Sequence, residues 1–195
     1  MDSSGTHDDP QLADDELPRA LATSDFRAAA AVLMRSHGTQ VYRYCLDLLR
    51  DRDAAQDTLQ RVFLQAFETL PRYEQRTTAR AWLFGIARHR CMDTLKGPRF
   101  GLRLVRPEAS LPDAPGPAES SERSLLRSEL REALGACLDE FPGPAREVVY
   151  LRYSAQLSYD EIAEISGELP GTLRVRVARA LPALRDCLER KGMAT

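Results

Sequence analysis

Three arginines, Arg174, Arg176 and Arg179, crowd one helical stretch with no carboxylate between residues 170 and 185. A guanidinium offers forked N–H donors that match guanine edges and phosphate oxygens. At 100° per residue, Leu173, Val177, Ala180, Leu181, Leu184 and Leu188 form one apolar stripe. Val175, Ala178 and Arg179 point most directly away from it, and Arg174 and Arg176 flank that outer face. Small side chains beside arginines leave room to enter a DNA major groove. The residues just upstream supply the corner such a helix needs. Ser158 and Glu161 have capping-box spacing. Ile162, Ala163 and Ile165 give an inner face, Gly167 suits a left-handed helix end, and Pro170 suits a first helical turn. Ala163, Gly167 and Leu173 carry the spacing of a helix-turn-helix.

Charge is distributed unevenly over the 195 residues. The net value is −2, yet residues 1–25 hold seven acids against one base, and residues 72–106 hold nine bases against two acids. An acidic tail beside a basic body points to a polyanion partner. The four cysteines (Cys45, Cys91, Cys137 and Cys187) are far apart, with no C-x-x-C and no neighbouring histidine pair. That spacing argues against a zinc site and against a disulfide framework, and leaves each as a small apolar residue in a helix. The three histidines, His7, His37 and His89, assemble into no nucleophile, metal or phosphate-loop pattern. Neither an enzyme nor a cofactor or metal site is expected. The polar N-terminus has no signal-peptide core, no run reaches membrane-spanning length, and the cytoplasm is the expected compartment.

The elements that must hold these residues are helical. Residues 1–24 read as an acidic disordered tail. Helical periodicity covers 25–97, as segments near 25–36, 38–50, 53–70 and 78–96. Residues 98–123 contain Pro98, Pro107, Pro112, Pro115 and Pro117 and read as a flexible tether. Helical pattern resumes over 124–191, with breaks near 141–144, 157–158 and 167–170. Pro182 should kink the last helix or end its straight part. The expected fold is all-α: two small helical domains joined by a flexible proline-rich linker. In the helix at 53–70, Leu59, Val62, Phe63, Ala66, Phe67 and Leu70 form the expected core stripe. Asp57, Gln60, Arg61, Leu64 and Glu68 lie opposite, so Leu64 is an apolar residue on a polar face.

The stretch FPGPAREVVYLRYSAQLSYDEIAEISGELPGTLRVRVARAL resembles region 4 of bacterial RNA polymerase sigma factors of the extracytoplasmic-function group. The resemblance rests on Phe141, Pro142, Arg146, Leu157, Ser158, Tyr159, Glu161, Ile162, Ala163, Gly171, Thr172, Arg174 and Arg176. DAAQDTLQRVFLQAFETL and RAWLFGIARHRCMDTLK resemble parts of sigma region 2. Arg61 stands where that family carries Glu, His89 where it often carries Asn, and Leu181 and Pro182 replace basic residues.

The resemblance implies a transcription initiation factor that binds core RNA polymerase and directs it to promoters. Thr172, Arg174, Val175, Arg176, Ala178 and Arg179, with Arg152 on phosphate, would contact the duplex −35 element. Arg76, Arg80, Trp82, Arg88, His89 and Asp93 would line the capture of melted −10 bases. Binding exposed bases must offset unstacking, about a few kcal/mol per flipped base. The face of Asp57, Gln60, Arg61, Leu64 and Glu68 would dock on the clamp helices of the largest polymerase subunit, and the polymerase flap is a further partner. An anti-sigma factor is also implied, with no insertion of this chain into a membrane. The other reading is a stand-alone helix-turn-helix regulator, which explains 158–181 but leaves the two amino-terminal blocks without a role.

Overall fold

The computed structural model describes residues 10–97 and 121–193, and side-chain environments over 16–97 and 129–193. The chain divides into two units, Met1–Pro107 and Glu108–Thr195. All regular structure among the described residues is helical.

The first unit contains α1 (Pro10–Ala22), α2 (Phe26–Leu49), α3 (Arg52–Thr69), a short 3-10 turn (Leu70–Arg72) and α4 (Ala79–Lys96). Asp25, Asp51 and Thr78 each cap the helix that follows, accepting from Ala28, Ala54 and Ala81. α2 is central and packs against α1, α3 and α4. Leu33, Val41, Tyr44 and Cys45 meet Val62, Leu83, Phe84 and Cys91 in a core where each is fully buried. The Tyr44 and Phe84 rings meet edge-on at 5.4 Å. Thr58, also buried, lies 3.3 Å from Thr94 across α3 and α4.

Three expectations need correction here. Residues 10–22 of the expected tail form a helix, because Leu17, Ala20 and Leu21 share a face at helical spacing and Leu17 and Ala20 are buried. Glu16 also pairs with Arg35 of α2 at 2.8 Å. Only residues 1–9 of that tail lie outside the described residues. The two helices expected at 25–36 and 38–50 are one, since buried Gly38 sits within continuous α2. Phe67, expected in the core, is 43% exposed, because Phe63 and Ala66 take the inner face.

The second unit contains α5 (Ser121–Asp139), α6 (Gly143–Val149), a π turn (Tyr150–Ser154), α7 (Tyr159–Ser166) and α8 (Pro170–Arg190). Residues 98–120 of the expected tether lie outside the described residues, and Ser121 already opens α5. Val148, Leu151, Leu157 and Ile162 close over Leu173 and Val177 of α8. α8 runs uninterrupted through Pro182 to Arg190. Ala178, whose carbonyl loses its amide partner at Pro182, is exposed, so water can satisfy it.

The expectation of four free cysteines fails at one pair. Cys137 of α5 and Cys187 of α8 form a disulfide, with Cα atoms 5.8 Å apart and a sequence separation of 50. Local spacing could not reveal it, because the pairing arises from two helices packed side by side. Ala133 and Leu188 complete that buried cluster, with Leu134, Leu184 and Met193 against it. Cys45 and Cys91 are buried and in no disulfide, as expected.

Two consequences are measurable. Closing a loop of this length restricts the unfolded chain. Cys137→Ser is therefore expected to cost about 2–4 kcal/mol in denaturant unfolding of the carboxy-terminal unit, and a dithiol reductant should lower the wild-type midpoint likewise. Gly167 has φ +75°. Gly167→Ala should cost about 1 kcal/mol by the same assay, although a methyl group there would meet no neighbour.

Candidate nucleic-acid interface and docking face

The helix-turn-helix forms from local chemistry. Ser158 Oγ accepts from the Glu161 amide at 3.2 Å, and the Glu161 carboxylate accepts from the Ser158 amide at 2.8 Å. The pair satisfies two amide donors that an open helix end would leave unmet. Gly167 then ends α7 in a left-handed conformation, its amide donating to the Ala163 carbonyl at 2.8 Å. Pro170 opens α8. Leu169 at its cap makes no side-chain hydrogen bond and is 75% exposed.

Burial fixes the rotation of α8. Leu173, Val177 and Ala180 face inward, whereas Thr172, Arg174, Val175, Ala178 and Arg179 are exposed. The outer face expected from the helical wheel is therefore present. Leu181 departs from the expected apolar stripe, at 38% exposed.

The arginines on or beside this face are not equivalent. The guanidinium of Arg174 lies 5.4 Å from the Tyr159 ring centroid, and that of Arg152 lies 5.2 Å from the same centroid. Arg152 reaches this position from the π turn, a backbone irregularity that often accompanies functional sites. It also donates to the Leu157 carbonyl at 2.9 Å. Arg176 behaves differently. Both of its terminal nitrogens donate to Glu168, one at 2.7 Å, and its side chain is only 25% exposed. That hydrogen-bonded carboxylate raises the guanidinium pKa above its usual value. Arg179 stands exposed and, with Phe141, Ala145, Thr172, Val175 and Arg176, lines an open cleft of about 600 Å³. Tyr159 and Glu168 were missed as site residues by the sequence reading. Tyr159 sits inside the motif that carried the resemblance, so only its role as a shared platform was hidden.

In the first unit, Trp82 is half-buried and stacks on Tyr73, with centroids 4.7 Å apart. Tyr73 in turn donates from its hydroxyl to the Thr77 carbonyl at 2.8 Å, pinning the loop between the 3-10 turn and α4. Burial pushes the Tyr73 phenol pKa up, so the group stays a donor. Arg76 is exposed on that loop and pairs with Glu74 at 2.5 Å. On α4, His89 is exposed, and its Nδ1 lies 3.2 Å from Asp93. Asp93 is also 3.9 Å from Arg90, whose Nε donates to Gln65 of α3 at 2.7 Å. Arg80 and Arg88 are half-buried on the same helix. Tyr73 and Gln65 were further omissions, visible only once the loop and helix pair are folded.

The outer face of α3 presents Asp57, Gln60, Arg61, Leu64 and Glu68, all exposed. Leu64 is 60% exposed, and Phe67 one turn on joins it, giving a short apolar strip with charged flanks. Among the described residues, no three His, Cys, Asp or Glu side chains are grouped to hold a metal ion. No described helix is long and apolar enough to cross a membrane.

Two family models match this chain: sigma-70 region 2 over residues 33–99 and sigma-70 region 4 over residues 131–184. The chain is 31% identical over 174 residues to the ECF RNA polymerase sigma factor SigC of Mycobacterium tuberculosis, covering 88% of this chain and 91% of that protein. It is 27% identical over 183 residues to SigK of Mycolicibacterium vanbaalenii, covering 89% and 88%. Among solved structures, its fold is shared by sigma factor RpoE of Bartonella quintana, in complex with the anti-sigma factor NepR. That match has a TM-score of 0.64 at 22% identity, over 85% of this chain and 97% of that one. CnrH, solved with the cytosolic domain of CnrY, gives a TM-score of 0.60 at 20% identity, over 94% and 99%. An arginine-bearing helix-turn-helix, a separate helical unit with an exposed apolar strip, and these matches lead to one conclusion: the chain belongs to the extracytoplasmic-function group of sigma-70 family RNA polymerase sigma factors, initiation factors that bind core polymerase and direct it to particular promoters.

Proposed function

We propose that this sigma factor divides promoter reading between its two units. α8 enters the major groove of the duplex −35 element with Thr172, Arg174, Val175, Ala178 and Arg179, while Arg152 grips phosphate. The observation that carries this reading is the orientation of α8, whose apolar stripe is buried and whose arginine face is open. The Tyr159 platform supports it, because the guanidiniums of Arg152 and Arg174 both rest over that one ring. In the first unit, the Tyr73–Trp82 stack and the cations Arg76, Arg80 and Arg88, with His89 and Asp93, accept melted −10 bases. Stacking on aromatic faces and a cationic groove are the interactions that single strands offer.

The α3 face, centred on Leu64, docks on the largest subunit of core polymerase, with Asp57, Gln60, Arg61 and Glu68 around it and Phe67 added by the fold. The factor works in the cytoplasm, catalyses no reaction of its own and is restrained by an anti-sigma partner. The complex of RpoE with NepR supports that last point by analogy of fold.

Transcription by core polymerase on a cognate promoter tests the scheme. Arg179→Ala should lower initiation at that promoter about tenfold and relax sequence preference within the −35 element, because one good arginine–base contact is worth about 1–3 kcal/mol. A footprint on promoter DNA by the protein alone, as strong as that with polymerase, would overturn it. Leu64→Asp should raise the dissociation constant for core polymerase at least about tenfold in an equilibrium titration, the loss expected of a central interface anchor. Unchanged core binding in that variant would remove α3 from the docking surface.

A further inference from the structure

Arg176 has the position of a base reader but not the freedom of one. It is half-buried on the edge of the exposed face, and both terminal nitrogens of its guanidinium are engaged by Glu168, eight residues earlier. A guanidinium reads guanine by presenting two N–H donors together in one fork. Here the terminal fork is turned back toward the α7–α8 corner. Glu168 lies just before the Leu169 cap, at the amino-terminal end that a recognition helix sends into the groove. There its charge is favoured by the amino-terminal end of the helix dipole. Glu147 adds a second, weaker attraction on Arg176. Arg174 and Arg179 have no such restraint: one rests on an aromatic face, and the other is exposed on the cleft rim.

We propose that Glu168 is a specificity-determining positioning residue: by holding Arg176 in a two-point ion pair, it withdraws that guanidinium from base reading and leaves the −35 sequence to Thr172, Arg174, Val175 and Arg179. The proposal rests on the reading of α8 as the −35 recognition helix. Glu168 also cancels one positive charge beside the DNA backbone. It therefore lowers sequence-independent attraction while leaving the reading set intact. Removing the carboxylate frees a fourth donor side chain at the groove, beside Thr172, Arg174 and Arg179, and adds one net positive charge there.

The experiment uses the full-length factor assembled with core polymerase. Initiation is measured on a promoter library with the −35 element randomised, by counting transcripts from each sequence. Glu168→Ala is expected to gain a preference of about tenfold for guanine at one base pair, the size of a single arginine–guanine contact. It should also steepen the salt dependence of promoter binding by about one unit of logarithmic slope, as one added phosphate contact would. Glu168→Gln, which keeps the side-chain shape and drops the charge, gives the same preference at smaller amplitude. The double change E168A/R176A loses the new preference, and Arg176→Ala alone keeps the wild-type pattern of preferred bases on a weaker promoter complex. The proposal is overturned if Glu168→Ala and Glu168→Gln both retain the wild-type pattern. It is equally overturned if Arg176→Ala alone erases preference at one base pair. If Arg174→Ala and Arg179→Ala also leave the −35 pattern untouched, the assignment of α8 to that element is what has failed.

Discussion

Leu173 and Val177 lie one turn apart on α8 and are 1% and 2% exposed. Burying both against Val148, Leu151 and Ile162 sets the helix's rotation about its own axis. Every other feature of the exposed arginine face of α8 depends on that rotation. A slip of one residue would move each side chain about 100° and carry Arg174 toward the core. The cost of burying a guanidinium without a partner makes such a slip untenable. The inner stripe therefore positions the outer face as much as the capping box and the Gly167 corner do. Specificity in this unit begins with aliphatic packing.

The amino-terminal unit works under the same constraint with a different outcome. On α3 the inner positions go to Ala55, Thr58, Val62, Phe63 and Ala66, most of them small enough to let α2 and α4 approach closely. That leaves Leu64 and Phe67 outside, exposed and with no helix among the described residues of their unit covering them. Two large apolar side chains exposed together can anchor a complex while the free protein stays dispersed, which is what the proposed docking on polymerase calls for.

Local rules served the carboxy-terminal half well. Ser158, Glu161, Gly167 and Pro170 act within a few residues of one another, so their roles could be read directly from order and type. The outer face of α8 followed from a helical wheel. Contacts that join distant segments were not accessible in this way. The helix at 10–22 is stabilised by burying Leu17 and Ala20 on α2, which outweighs an acidic composition suggestive of disorder. The separation expected between 25–36 and 38–50 does not occur, because Gly38 lies inside a buried stretch of α2 where packing overrides its weak helix propensity. The Cys137–Cys187 link, the stacking of Tyr73 on Trp82 and the turning back of Arg176 toward Glu168 all require three-dimensional juxtaposition. Of these, the arginine pairing changes the functional reading most, since composition and spacing made Arg174, Arg176 and Arg179 look alike.

Tyr159 has two guanidiniums over its ring, those of Arg152 and Arg174, at 5.2 Å and 5.4 Å from the centroid. Attraction between cation and ring gives each a preferred resting place. One aromatic side chain thereby limits the rotamer freedom of two long chains. Any anion that engages either guanidinium meets a group that has already lost part of its conformational entropy, so less ordering remains on contact. A solvated lysine would have to surrender that freedom at the moment of binding.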